Sequence, residues 1–359
     1  MNGRSLSVTL SLFLISLVSC KKSSSEPAYD APPPIVTSLS NYLVKENSSD
    51  NFVSLITNSR SEPTAFKVAD SHKDYFYTRA DSLFIKPEGK NLLIASKRLD
   101  MNLRVMGKDT TQQSFTLVLD QFLKNRVIAH RGAWKISNNP ENSMAALKHA
   151  IEIGSAASEF DVWLTADKII VVNHDRMFNG MDIETSTYSQ LKSARLPNGE
   201  YIPTLVEYIN EIKKQQQTRL YLEIKGSYLS SGRNLEVADE AVRTVNKLNA
   251  QAWVTYTSLN AAILDRILSI DKFAKTLYCR GDYDLDQVKT KNYVGIHYEI
   301  SRFKNNTTLF KQAKSKGLVT IAWTVDDLAT MKWLINGGVN GITTNEPEVL
   351  ISYLNKTSN

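Results

Sequence analysis

The segment Val127–Ser143 reads VIAHRGAWKISNNPENS. A short apolar run stops at a histidine and an arginine, a glycine permits a sharp turn, and a polar stretch then opens a helix. A strand interior gains little from a guanidinium beside an imidazole, whereas a strand end facing a cleft gains reactive groups on a rigid base. Outward from this segment run more apolar stretches: EFDVWL, IIVVNH, RLYLEIK, WVTYTS, TLYCR, VGIHYEI, TIAWTV and GITTN. They are interspersed with helical patterns such as SMAALKHAIEIG, LEVADEAVRTVNKL, LNAAILDRIL, LFKQAKSKG and DLATMKWLINGG. Repeated strand-then-helix units predict a parallel sheet with helices outside it, and residues 125–359 suit a TIM-type (β/α)8 barrel. With VIAH there are nine candidate strands for eight barrel places. VWLTADKIIVV resolves the excess, because Asp167-Lys168 is a turn too short for a crossover helix and predicts a hairpin.

The chain of 359 residues is long enough for two folded units. Hydrophobic residues make up 42% and charged residues 22%, which is ordinary globular usage and argues against bulk disorder. The net charge of +6 is spread along the chain without a basic stripe and interleaved aromatics, so nucleic acid is not an expected partner.

Residues 1–19 carry Arg4, the apolar run VTLSLFLISLV and the ending LVS-Cys20, which predicts an export signal too short for a comfortable membrane span. LVSC resembles the lipobox of bacterial lipoproteins, which implies a lipid on Cys20 and a membrane-anchored, periplasmic or cell-surface location. Cys279 is then the remaining cysteine, with no partner for an intrachain disulfide, and its setting in KTLYC predicts a buried small residue. Residues 20–34, rich in serine and proline, read as a flexible linker. Residues 35–122 show short alternating segments, SLFIKP, NLLIAS, MNLRVMG and SFTLVLD, and predict a small all-β unit. Its pattern resembles a degenerate cadherin-like or immunoglobulin-like sandwich without the acidic calcium motifs of cadherins.

The chemistry-bearing residues lie at predicted strand ends. Glu159 and Asp161 are two apart in SEFDVWL and so share a strand face, as do Glu223 and Lys225 in RLYLEIKG. Carboxylates in apolar strands are costly unless a cation compensates them. Glu159, Asp161 and Glu223 would make an oxygen-ligand site for Ca2+ or Mg2+, and zinc is disfavoured by the lack of further histidine or cysteine. His130 and His174, with Arg131 and Lys225, suit phosphoryl chemistry: the cations offset phosphate charge and the imidazoles move protons near neutral pH. Asn139 or Asn142 is placed to cap the helix after PENS. His149 and His72 read as packing or surface residues, and His297, with Tyr298 and Glu299, as a barrel-lining candidate.

Taken in order, HRG, PENS, ExDV-x-LT-x-D, VxxHD, IPTLVE, LEIK, WTVDD and GITTNEP resemble the glycerophosphodiester phosphodiesterase family from Val127 to Leu354. The resemblance implies a TIM-type barrel that hydrolyses glycerophosphodiesters to sn-glycerol 3-phosphate and an alcohol with one bound divalent cation. By motif, His130 and His174 become the acid/base pair, Glu159, Asp161 and Glu223 the metal ligands, and Arg131 and Lys225 phosphate contacts. Glu141 becomes a supporting residue and Trp323 a lining of the substrate cleft. The chain departs from the family pattern at Ser143, where threonine is frequent, at Lys168, where glycine is common, and at Asp326, where many members have asparagine. Rival readings are a phospholipase-D-like or lyase activity on intact lipids and a non-catalytic surface binding protein.

Overall fold

The computed structural model describes residues 36–59 and 64–357. The expected export signal, Cys20 and the linker lie outside the described residues. Eight parallel strands form the barrel: β1 (Val127–Ala129), β2 (Ala157–Leu164), β3 (Arg219–Ile224), β4 (Val254–Ser258), β5 (Thr276–Tyr278), β6 (Gly295–Glu299), β7 (Val319–Trp323) and β8 (Gly341–Thr344). Ile128 of β1 stands opposite Ala157 of β2 on one side and Thr343 of β8 on the other, which closes the ring. Helices Met144–Glu152, Ser231–Lys247, Ala261–Ile270, Leu309–Ser315 and Leu328–Gly337 follow strands as the apolar periodicity predicted.

Strand alternation sorts the barrel interior into layers. Ile128, Ala157, Leu277 and Ile321 pack together inside it, with Tyr221 against them. Two residues further along the same strands stand His130, Glu159, Cys279, Trp323 and Glu223. An apolar floor therefore lies directly beneath the polar end of the barrel.

The ninth apolar run is the hairpin partner. Ile170–Val172 pairs antiparallel with the end of β2, Val162 opposite Val172 and Leu164 opposite Ile170. The turn between them puts Lys168 at φ 63°, a left-handed conformation that glycine adopts at lower cost. The Lys168 ammonium pairs with Glu236 at 2.7 Å, a contact glycine could not make.

The N-terminal region is β-rich, with two four-stranded sheets among the described residues. Strands Arg98–Met106 and Thr110–Leu119 form its longest hairpin, and the alternating burial of the first matches its alternating sequence. One expectation is corrected: NLLIAS is not a strand but part of a helix, Pro87–Ser96. Proline in the first helical turn supplies a preset φ where no backbone donor is needed, and Lys97 at φ 66° ends the helix. The region meets the barrel where strands begin. Phe122 packs edge-on against Trp253, 6.2 Å between ring centroids, and the Arg219 guanidinium lies 4.0 Å over the Phe122 ring.

Gly295 marks the tightest approach in the barrel wall. A Cβ there would sit 2.0 Å from the Val319 carbonyl oxygen of the neighbouring strand. Gly295→Ala should therefore destabilise the fold by at least the roughly 1–3 kcal/mol usual for overpacking. Urea unfolding would measure it, and an unchanged midpoint would show that β6 and β7 separate freely.

Candidate active site

His130 and Arg131 leave the end of β1 through a sharp bend. Arg131 has φ 58° and Gly132 φ 82°, and a Cβ on Gly132 would lie 2.7 Å from the Ala146 backbone carbon and Cβ. Glycine is required here both by the left-handed backbone and by the close approach of the next helix. The bend aims the Arg131 backbone N–H at Glu159 Oε2, 3.1 Å away. The helix that follows is capped by Ser143, whose hydroxyl accepts from Ala146 N at 3.0 Å. The expectation of Asn139 or Asn142 as the cap is corrected: Asn142 instead turns inward, accepts from Asp161 N and donates to Asp161 Oδ2 at 3.0 Å.

Glu159 and Asp161 share one face of β2, and parallel register sets Asp161 opposite Glu223 of β3. One oxygen from each of the three carboxylates lies within 4.8 Å of the others. Glu159 and Asp161 are each only 2% exposed, so their mutual repulsion is poorly screened. Burial, reinforced by the charges of Asp161 and Glu223, pushes the Glu159 carboxyl well above the usual range. Burial also raises Glu223. At Asp161 burial acts the same way, but Lys225 and His174 outweigh it and hold that carboxyl low.

Lys225 Nζ bridges the pair, 2.7 Å from Asp161 Oδ1 and 2.6 Å from Glu223 Oε1. Burial works against its charge, yet the two carboxylates keep its affinity for the proton above normal. Arg131 Nη1 reaches both oxygens of Glu141, at 2.8 and 2.9 Å, while its Nε stands 3.5 Å from Asp161 Oδ2. The guanidinium is thus already engaged with carboxylates, and Glu141 braces it.

These residues fit a hard divalent cation. The donors are all carboxylate oxygens from rigid strands, and Glu159 Oε1 is buried with no hydrogen-bond partner, a costly arrangement that a coordinated cation would relieve.

The two histidines reach this cluster by different routes. His130 Nε2 lies 4.0 Å from Glu159 Oε2, and its Nδ1 lies 2.8 Å from Asn345 Oδ1. Burial first, then the Arg131 charge, lowers its proton affinity below the usual histidine range. His174 follows the hairpin strand, which runs back toward the barrel and lets Asn173 N donate to the Asp161 carbonyl at 3.0 Å. His174 Nδ1 is 2.8 Å from Asp175 Oδ1, and the ring is 34% exposed. When protonated, it favours the ionised forms of Asp161 and Glu223.

Trp323 stands half-buried at the end of β7 and donates from its indole to the His297 carbonyl at 2.7 Å. His297 itself is buried, with Nε2 2.8 Å from Thr343 Oγ1. Burial, with His130 nearby, drops its pKa to about 3, so it is a neutral core residue at working pH. Glu299 caps the short helix Ile300–Asn305 and Tyr298 donates to the Tyr283 carbonyl. Cys279 is buried, 3.3 Å from Thr257 Oγ1. His149 pairs with Glu348 at 3.2 Å on the helix side.

Sequence reasoning missed Asn142 as a partner of Asp161 and Asn345 as a partner of His130. Both asparagines sit inside the motifs PENS and GITTNEP, but nothing in their spacing says which distant side chain they meet.

Residues 130–349 match the glycerophosphoryl diester phosphodiesterase family. A glycerophosphodiester phosphodiesterase of Caldanaerobacter subterraneus is 31% identical over 251 residues, 65% of this chain and 99% of that one. A crystal structure of a glycerophosphodiester phosphodiesterase from Parabacteroides distasonis is 34% identical, covers 65% of this chain and 98% of its own, and superposes with a TM-score of 0.63. An Oleispira antarctica phosphodiesterase solved with its product sn-glycerol-3-phosphate shares the fold at 23% identity and a TM-score of 0.58, covering 64% of this chain and 96% of that one. The family match spans more than half of the chain and contains the whole carboxylate and histidine constellation: this chain is an enzyme of the glycerophosphoryl diester phosphodiesterase family.

Proposed function

We propose that the enzyme hydrolyses glycerophosphodiesters to sn-glycerol 3-phosphate and an alcohol, with one Ca2+ or Mg2+ held by Glu159, Asp161 and Glu223 and with His130 and His174 as proton carriers. The observation that carries this reading is the convergence of the three carboxylates within 4.8 Å, with an orphaned buried oxygen among them, beside His130. The product found with the Oleispira antarctica relative supports the same substrate class.

A bound cation would supply Lewis acidity to a phosphate oxygen and to the glycerol hydroxyl beside the ester. The chain's own residues do the rest. Lys225 and Arg131 offset the carboxylate charge, so that an anionic diester is not repelled. One imidazole takes the proton of the glycerol hydroxyl as that oxygen attacks phosphorus, a geometry in which the nucleophile is already part of the substrate. The other imidazole donates a proton to the departing alcohol as its P–O bond breaks. Water then opens the cyclic phosphate, giving its proton to the second imidazole while the first returns its proton to the glycerol oxygen. Trp323 lines the cleft, and Glu141 keeps Arg131 in place.

In this reading the export segment and the lipid on Cys20 place the enzyme at a bacterial membrane outside the cytoplasm, with residues 20–34 as tether, 35–122 as a spacer unit and 125–359 as the catalytic unit. The β-rich region touches the barrel where strands begin, opposite the end that bears the carboxylates.

Turnover is measured by release of sn-glycerol 3-phosphate from choline, ethanolamine, glycerol and inositol diesters; a lysophospholipid substrate or a cyclic phosphate end product would favour the rival lipid chemistry. His130→Ala and His174→Ala should each lower kcat by about 10²–10⁴-fold with the circular dichroism spectrum unchanged, and full activity in either would remove that histidine from the mechanism. EDTA should abolish turnover and Ca2+ or Mg2+ restore it. Calorimetric titration of the cation should show one site in the wild type and a large loss of affinity in Glu159→Gln; equal binding by both proteins would refute the ligand assignment.

A further inference from the structure

Three consecutive elements of the ring, β7, β8 and β1, end in a chain of hydrogen bonds that the mechanism above does not use. Just beyond β7, Asp326 Oδ1 accepts from the backbone N–H of Asn345 at 2.8 Å and from Thr344 Oγ1 at 3.2 Å. Its other oxygen, Oδ2, accepts from Asn345 Nδ2 at 2.8 Å. Just beyond β8, Asn345 presents Oδ1 to His130 Nδ1 at 2.8 Å. The backbone holds the same alignment, because His130 N donates to the Thr344 carbonyl at 2.9 Å.

We propose that Asp326 is a positioning residue: through Asn345 it fixes His130 as the Nδ1–H tautomer, leaving the Nε2 lone pair turned toward the carboxylate cluster. What each group can donate or accept fixes the arrangement. An ionised carboxylate only accepts, so the end of the Asn345 amide that faces Asp326 is its NH2 group. The other end is then an oxygen, which can only accept from the imidazole. A neutral ring carries one N–H, and placing it on Nδ1 leaves Nε2 as the acceptor. The orientation of the amide and the tautomer of the ring are therefore set by Asp326, which meets Asn345 and Thr344 and not the imidazole itself. An amide at position 326 would not impose this, since one of its ends donates and the other accepts.

The inference rests on the reading of His130 as a proton carrier, and its tests separate the two. In Asp326→Asn the new NH2 group faces a donor of Asn345, so the Asn345 amide turns over and presents its NH2 group to His130. The ring then shifts toward the Nε2–H tautomer. The expected result is a fall in kcat of roughly 10–100-fold, as for other partners that orient a site ligand, with KM within about twofold. Imidazole nitrogen NMR at a pH where the ring is neutral, assigned by loss of the signal in His130→Gln, should show the change of tautomer directly.

The swapped double variant, Asp326→Asn with Asn345→Asp, reverses donor and acceptor between the two positions. The new amide oxygen accepts the backbone N–H, its NH2 group donates to the new carboxylate, and that carboxylate still accepts from His130 Nδ1–H. Both kcat and the wild-type tautomer should return. Unchanged kcat and tautomer in Asp326→Asn, or a double variant no better than the single one, would overturn the proposal. If Asp326→Asn does not fold, the double variant decides alone. If the wild type cleaves no diester, the catalytic reading fails and the NMR comparison still decides whether Asp326 sets the tautomer.

Discussion

Three carboxylates confined to a few ångströms of a nearly dry barrel end repel one another, and much of the surrounding architecture is explained by how that repulsion is contained. Lys225 stands between Asp161 and Glu223, Asn142 and the Arg131 guanidinium meet Asp161, and the Arg131 backbone N–H meets Glu159. One oxygen of Glu159 is left without any partner. A cluster built this way is unfavourable for stability and favourable for binding a cation, because the cost of gathering the ligands has been met during folding by the apolar barrel.

The barrel makes that gathering possible through strand alternation. An inward residue is followed two positions later by another, so the apolar layer of Ile128, Ala157, Leu277 and Ile321 sits under a layer that includes His130, Glu159, Glu223 and Trp323. His297, also on an inward position, belongs to this layer but is walled in by Thr343 and Cys279, which is why a histidine so near the site stays neutral. His174 could not come from a barrel strand in this way. The hairpin after β2 carries the chain outward and returns it, and that return sets Asn173 N on the Asp161 carbonyl and leaves the next side chain, His174, partly exposed.

Much of this was legible in the order of the residues. The alternation of apolar strands and helices, the short Asp167-Lys168 turn and the two-residue spacing of Glu159 with Asp161 led to the barrel, the hairpin and a common carboxylate face. In the N-terminal region the same reasoning overreached at NLLIAS. Alternation in a six-residue window is too brief to distinguish strand from helix, and the preceding Pro87 with its helix-compatible φ decided the outcome.

By itself the sequence determined which strands end in reactive groups, because period-two and period-3.6 patterns are local properties of the chain. Only the tertiary structure decided the partners: Arg131 with Glu141, Asn142 with Asp161, and Asp326 with Asn345 and His130. The last of these joins the ends of β7 and β8 to β1, with His130 and Asn345 lying 215 positions apart in the chain. Donor and acceptor directions across such distances depend on barrel closure and strand register, which no local pattern encodes.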